Sequence, residues 1–286
     1  MPEGIREAVI VYNPAAGRGR ERRMVELEMA RQILWRSGIR TELWGTQGPG
    51  TATEMAREEV ERGTQLVIVC GGDGTINEVV NGLAGSQVPM AVLPAGTANV
   101  LAKELGIPWD IPQAAELIAR GERRRIALGR VTQTKTGDSR YFLCTGGAGP
   151  DGVMIYSVSL GLKAKAGMLV YWMEGFRQLA VYGFPHFRVT TEGKVAAASM
   201  VIVGRTKHYG GPFRITTEAD LFGEEFEVAV LTTRSRVVYL AYLPMLWMGR
   251  LRKMRGVEFW KAREVRCEPI EEQGIYAQVD GESVGR

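Results

Sequence analysis

The chain has 286 residues, enough for two ordinary domains with cores of their own. At 45% hydrophobic and 24% charged, its composition excludes a disordered chain, and no run is apolar for long enough to span a bilayer: the longest, Val237 to Met248, falls short of the roughly 20 residues required. A net charge of +4 leans mildly toward anionic partners without separating phosphates, nucleic acid and anionic lipid.

Met1-Pro2-Glu3-Gly4 leads straight into a strand, so no signal peptide is expected. The first part of the chain then alternates strand and helix. Ala8 to Tyr12 reads as a strand, "NPAAGRGR" as a turn, and Arg22 to Trp35 as a helix stopped by Ser37-Gly38. Arg40 to Trp44 is a second strand, and a helix follows from about Ala52 to Arg62. Leu66 to Cys70 is short, apolar and β-branched, a buried parallel strand. After the turn "GGDGT", Ile76, Val79, Val80 and Leu83 recur at i, i+3, i+4 and i+7, one face of a helix. "MAVLPAGTANVLAKELGIP" supplies a fourth strand, a turn and a helix ending at Gly106-Ile107-Pro108. Such repeated units imply a parallel sheet covered by helices, with ligands at the carboxyl ends of its strands.

The pattern changes near Arg123, giving expected domains of 1–122 and 123–286. "RRRIALGRVTQ", "RYFLCTGGAG", "HFRVTTEGKVAAASMVIVGRT", "FRITTEADLFGEEFEVAVLTT" and "GIYAQVDGE" are strand-like runs, with one helical insert from about Asp151 to Tyr182. A mostly antiparallel sandwich or barrel is expected, and the short connection predicts a cleft between two closely packed domains. Cys70, Cys144 and Cys267 are isolated and odd in number, which reads as buried free thiols of a reducing cytosol.

Three turns carry the functional signal: Asn13–Gly17, Gly71–Thr75 and Pro94–Asn99. Each follows a predicted strand of one sheet, and each adds Asn, Thr or Asp to its glycines. Glycine lets a phosphate approach the backbone, and a helix N-terminus favours the anion. GxxxxGK[ST] is absent, which excludes a P-loop. Gly147-Ala148-Gly149-Pro150-Asp151-Gly152 matches GxGxxG but sits in the wrong domain with a proline inside it. His186 and His208 lack partners at zinc-ligand spacing, and no Gly-x-Ser-x-Gly supports a serine hydrolase.

The ordered set "NPAAG", "GGDGTINEVVNGL", "PAGTANVLAKELGIP", "GAGPDGVM" and "VDGE" resembles the diacylglycerol kinase catalytic-domain family, in particular its bacterial lipid kinases, which are related to sphingosine and ceramide kinases. The resemblance covers nearly the whole chain. It implies an α/β nucleotide domain followed by a β-sandwich lipid domain, ATP and Mg²⁺ as cofactors, and a lipid hydroxyl as acceptor. It further implies ATP contacts at Asn13, Pro14, Ala15, Ala16, Gly17, Thr46, Gly72, Asp73, Gly74, Thr75, Ile76, Asn77, Glu78 and Thr97. Asp73 is expected to hold Mg²⁺ directly or through water, although in some relatives the matching aspartate is assigned as the base. Glu282, in the terminal "DGE", is expected to be the general base. By its residues alone Asp280-Gly281-Glu282 is a hairpin turn. Asp151 matches a position facing the acceptor hydroxyl in sphingosine kinases.

Two departures from the family stand out. Its structural Mg²⁺ turn, A-x-x-D-D-G-x-L-D, here reads Ala219 to Glu227, with one residue fewer between Ala219 and Gly223 and with Phe222 at the ligand aspartate, so that metal site is expected to be lost or rebuilt. Family chains also run on past "DGE" for about another strand, which leaves the anchoring of Glu282 open. Arg18, Arg20, Arg22 and Arg23 read equally as a solvated helix start or as phosphate attraction. An NAD kinase shares the GGDG turn but fits the flanking motifs poorly, and a non-catalytic nucleotide- or membrane-binding module is the third reading. A lipid acceptor implies a cytoplasmic protein visiting the inner face of an anionic membrane. No nucleic-acid partner is expected, and a homodimer is left open. Tyr239, Leu240, Tyr242, Leu243, Leu246, Trp247 and Met248 lie just before Arg250, Arg252, Lys253 and Arg255, which suits an interfacial segment or a core helix equally.

Overall fold

A computed structural model describes residues 4–17, 19–161, 177, 182–210, 213–270 and 274–285. The chain divides into two units, Met1–Arg125 and Ile126–Arg286.

In the first unit the elements run β1 (Glu7–Tyr12), α1 (Arg20–Arg36), β2 (Arg40–Gly45), α2 (Thr51–Glu61), β3 (Val67–Gly71), α3 (Asp73–Leu83), β4 (Met90–Pro94), α4 (Val100–Leu105) and α5 (Ile111–Arg120). The strands form a parallel sheet in the order β2-β1-β3-β4, with Ile10 opposite Ile68 and Ile68 opposite Ala91. Helix α1 buries Leu27, Ala30 and Leu34, one face at helical spacing, together with Ile111, Ala114 and Ala115 of α5. Helix α5 has no counterpart among the elements expected from the sequence. Its start is nevertheless marked locally: the Asp110 carboxylate accepts from the Gln113 amide at 2.9 Å, and a proline stands in the first turn. Gly82 lets α3 lie against α2, because a Cβ there would stand 2.5 Å from both the Thr53 carbonyl oxygen and the Ala56 Cβ.

The second unit is mostly antiparallel. Strands β5 (Gly129–Thr132) and β6 (Ser139–Phe142) form a hairpin. The main sheet has the order β14-β13-β10-β7-β16-β17, built from β7 (Thr145–Ala148), β10 (Met200–Gly204), β13 (Phe226–Leu231), β14 (Val257–Ala262), β16 (Ala277–Val279) and β17 (Glu282–Gly285). A second sheet, β15-β8-β9, holds β8 (Phe187–Thr190), β9 (Val195–Ala198) and β15 (Arg266–Pro269); β11 (His208–Tyr209) pairs β12 (Phe213–Arg214). Phe187, Val189 and Ala198 of the smaller sheet pack on Ala148, Val201, Val228, Val230 and Trp260 of the larger one, which makes the sandwich. The other face of the large sheet presents Ile202, Ala229 and Leu231 to Tyr239 and Tyr242 of α7 (Arg236–Trp247). A central strand covered on both faces shows no polar alternation, which explains the continuous apolar runs in "MVIVG" and "VAVL".

Some expectations are revised. Within "RRRIALGRVTQ" only Gly129–Thr132 is strand, and β14 and β15 were not foreseen. The Val237–Met248 run is a helix with one face in the core and the other exposed, so it is not simply a core helix. The predicted insert begins as α6 (Pro150–Gly161); its positions 162–176 and 178–181 lie outside the described residues, as does Arg18.

Candidate active site

The motif turns stand at the carboxyl ends of the first unit's strands. Asn13 follows β1, Thr46 follows β2, Gly72 follows β3 and Ala95 follows β4. Parallel pairing in the order β2-β1-β3-β4 therefore sets these loops side by side. Side chains then tie them together. The Asn13 carboxamide oxygen accepts from the Ala15 amide at 2.8 Å, curling the NPAAG loop, while its Nδ2 donates to Thr75 Oγ1 at 3.1 Å. The Asn99 side chain is wholly buried; its Oδ1 accepts from the Gly96 amide at 2.9 Å and its Nδ2 donates to the Gly71 carbonyl at 3.3 Å. Asp73 Oδ1 accepts from the Val100 amide at 2.7 Å, the first residue of α4.

Glycine is required at these contacts. Gly17 has φ +58° and lies so close to the Ala95 carbonyl that a Cβ would overlap it. Gly96 and Gly72 face each other, and a Cβ on Gly96 would overlap the Cα of Gly72 and the Asn99 carboxamide. Gly72 is the N-cap residue of α3, whose first turn of Asp73, Gly74 and Thr75 takes no side-chain cap. Those amides and the helix dipole form a surface suited to an anion.

Of the other candidate residues, Pro14, Ala15 and Thr97 are exposed, and Ala16, Gly17 and Thr46 are half-buried, with the Thr46 amide held by the Tyr12 carbonyl at 2.9 Å. The side chains beyond the first turn of α3 are committed elsewhere. Ile76 and Asn77 are buried, and Glu78 accepts from the Ala52 amide at the start of α2 at 3.2 Å. Arg23 is not solvated: it is 5% exposed and donates to the Ala16 carbonyl of the NPAAG loop at 3.5 Å. Its neighbour Cys70 is buried too, and burial pushes its thiol up to about 11, which makes it an inert core residue.

The acceptor-side candidates belong to the second unit. Asp280 and Gly281 form the two-residue turn between β16 and β17, with φ of 48° and 80° and Val279 paired to Glu282. The Asp280 carboxylate accepts the amides of Leu143, Cys144 and Thr145 at 2.7, 2.8 and 3.0 Å. That triple bond set fixes the hairpin and so anchors Glu282, which is half-buried at the start of β17. Asp151, by contrast, is 3% exposed; Tyr209 donates its hydroxyl to Oδ1, and Gln278 Nε2 donates to Oδ2 at 2.7 Å. Gln278 Oε1 in turn accepts from the Gly281 amide at 2.9 Å, so Asp151 reaches the DGE turn through one glutamine. The glycines of "GAGPDG" serve this packing: a Cβ on Gly147 would overlap the Asp151 carboxylate, and one on Gly152 would overlap the Tyr276 carbonyl. No sequence signal pointed to Tyr209 or Gln278, because polar residues in strands give no periodic mark.

The resemblance implies two metals, and the donor sets differ in fit. Asp73 is one half-buried carboxylate beside an anion-suited turn, and no cluster of three or more His, Cys, Asp or Glu side chains that could hold a metal occurs among the described residues. That suits Mg²⁺ carried in on substrate phosphates rather than a protein-only cage. The turn at Ala219–Glu227 does not fit a cation. Buried Arg205 donates to the carbonyls of Leu221 and Gly223 at 2.9 and 2.7 Å, and Arg252 pairs with buried Glu227. A guanidinium and an ion pair already hold that turn.

Residues 7–131 match the model of the diacylglycerol kinase catalytic domain, and residues 148–286 match that of the YegS C-terminal NAD kinase beta sandwich-like domain. The diacylglycerol kinase of Bacillus subtilis strain 168 is 30% identical, the match covering 98% of this chain and 91% of that one. The chain belongs to the diacylglycerol kinase catalytic-domain family. The diacylglycerol kinase of Staphylococcus carnosus strain TM300 is 27% identical over 98% of this chain and 90% of its own. A crystal structure of a diacylglycerol kinase from Bacillus anthracis strain Sterne shares the fold, with a TM-score of 0.71 at 23% identity, over 98% of this chain and 91% of that one. Family membership makes this protein a lipid kinase, a phosphotransferase with an alcohol acceptor. No helix of the described residues is long and apolar enough to cross a membrane.

Proposed function

We propose that this lipid kinase transfers the γ-phosphoryl group of ATP to a hydroxyl of diacylglycerol or a similar long-chain lipid. The observation that carries the reading is the junction of three glycine loops over the uncapped first turn of α3. The relatives' names supply the acceptor class. NAD kinase is not favoured, since the relatives that match 98% of the chain are diacylglycerol kinases.

The amides of Gly72 to Thr75 would cradle phosphate oxygens, and the hydroxyls of Thr46 and Thr97 would donate from either side. Mg²⁺ bound with the nucleotide would neutralise charge on the phosphates, with Asp73 as its protein contact. Glu282 would take the proton from the acceptor hydroxyl as its oxygen bonds to the γ-phosphorus and the bond to the β-phosphate oxygen breaks, releasing ADP. Asp280, locked by three amides, holds the turn from which Glu282 starts.

Asp73→Asn tests the cradle. Asparagine keeps an oxygen for the Val100 amide, so the α4 start and the fold should survive, while the carboxylate charge is gone. Turnover should fall at least a hundredfold at saturating Mg²⁺ with an unchanged melting curve. Near-wild-type kcat would reduce Asp73 to a loop tie.

A further inference from the structure

Helix α7 has two faces of opposite fate. Tyr239 and Tyr242 are buried against the main sheet, and the Tyr242 hydroxyl donates to the Arg255 carbonyl at 2.8 Å. On the other face Val237 is 74% exposed, Leu240 48%, Trp247 72% and Met248 44%, and Ala241 and Pro244 between them are exposed as well. At 100° per residue these six fall within an arc of roughly 120°, a continuous apolar stripe with no polar side chain in it. Single exposed apolar residues are ordinary; a stripe along a whole helix marks a contact surface.

Charge identifies the occupant. From Thr232 to Val257 the chain has Arg234, Arg236, Arg250, Arg252, Lys253 and Arg255 and no Asp or Glu. Arg252 is held by Glu227, whereas Arg236, Arg250, Lys253 and Arg255 are exposed and have no ion pair among the described residues. A second copy docking through the same face would bring these cations against one another. An anionic bilayer would meet both features at once.

We propose that this face of α7 docks on the surface of an anionic lipid bilayer. Val237, Leu240, Pro244 and Trp247 enter the boundary between headgroups and acyl chains, and the flanking cations face lipid phosphates. The proposal rests on the lipid-acceptor reading for its purpose, since an acceptor with two acyl chains stays in the membrane. Its test needs neither ATP nor acceptor, so the two can fail separately.

Co-sedimentation is measured with vesicles of phosphatidylcholine alone and with phosphatidylglycerol added. The expected result is binding that requires phosphatidylglycerol and weakens with salt. Arg250→Gln, Lys253→Gln and Arg255→Gln should each lower binding about fivefold, and the triple variant about a hundredfold. Leu240→Ser with Trp247→Ser should abolish it, while turnover of a short-chain acceptor dispersed in water stays at the wild-type level. Arg252 is kept because it supports Glu227. Equal binding to both vesicle types, or binding untouched by these variants, overturns the proposal. So does a dimer in solution that the Leu240→Ser variant dissolves and vesicles do not compete with, or a loss of short-chain turnover in the variants.

Discussion

Two carboxylates of the second unit face different surroundings. Glu282 is half-buried at the start of a strand whose preceding turn is clamped by Asp280. Glu282→Gln removes the carboxylate proposed as proton acceptor and keeps the shape, so kcat should drop by roughly 10²–10⁴ with KM for ATP unchanged. A loss confined to KM would make Glu282 a binding residue, and no loss would pass the base role to Asp73. Asp151 is enclosed by Tyr209 and Gln278, and burial, opposed by those two hydrogen bonds, holds its carboxyl above the ordinary 3.8. The folded protein therefore binds this proton more tightly than the unfolded chain does. The stabilisation is complete below the ordinary value and is lost as pH rises through the raised one. Asp151→Asn should flatten that decline in denaturant titrations from about pH 4 upward. An unchanged slope would show that Asp151 carries its charge at no cost.

Among the elements, the decisive contact is the one between the GGDGT and GTAN loops. Gly96 on Gly72 sets the spacing of β3 and β4 at their carboxyl ends, and Asn99 and Asp73 cross-link the loops around it. Gly96→Ala forces a methyl group into the Gly72 backbone and the Asn99 carboxamide. It should destabilise the protein by about 1–3 kcal/mol and raise KM for ATP severalfold, with KM for the lipid unaffected. Equal rises in both would mean that the loop junction does not belong to the nucleotide side.

For the whole chain, the strand–helix alternation and the three loops were legible from periodicity and glycine placement, because β3 and α3 each follow one simple period. The ties between loops were not: whether Asn99 turns inward depends on a φ of 43° that only the folded loop sets. In the second unit the sheet buried on both faces erased the alternation that marks strands, and β14 and β15 carry charges that break their runs. Arg205 taking over the turn at Leu221 and Gly223 could not be read either, since it lies far from that turn in sequence. The central claim, that this lipid kinase uses ATP to phosphorylate a diacylglycerol-like hydroxyl, is tested most directly by transfer from γ-labelled ATP and Mg²⁺ to diacylglycerol in mixed vesicles, with NAD offered in parallel. The account predicts labelled phosphatidic acid, lost in Glu282→Gln and in Asp73→Asn, and no labelled NADP. Label appearing in NADP, or in no acceptor while the nucleotide is bound, would contradict it.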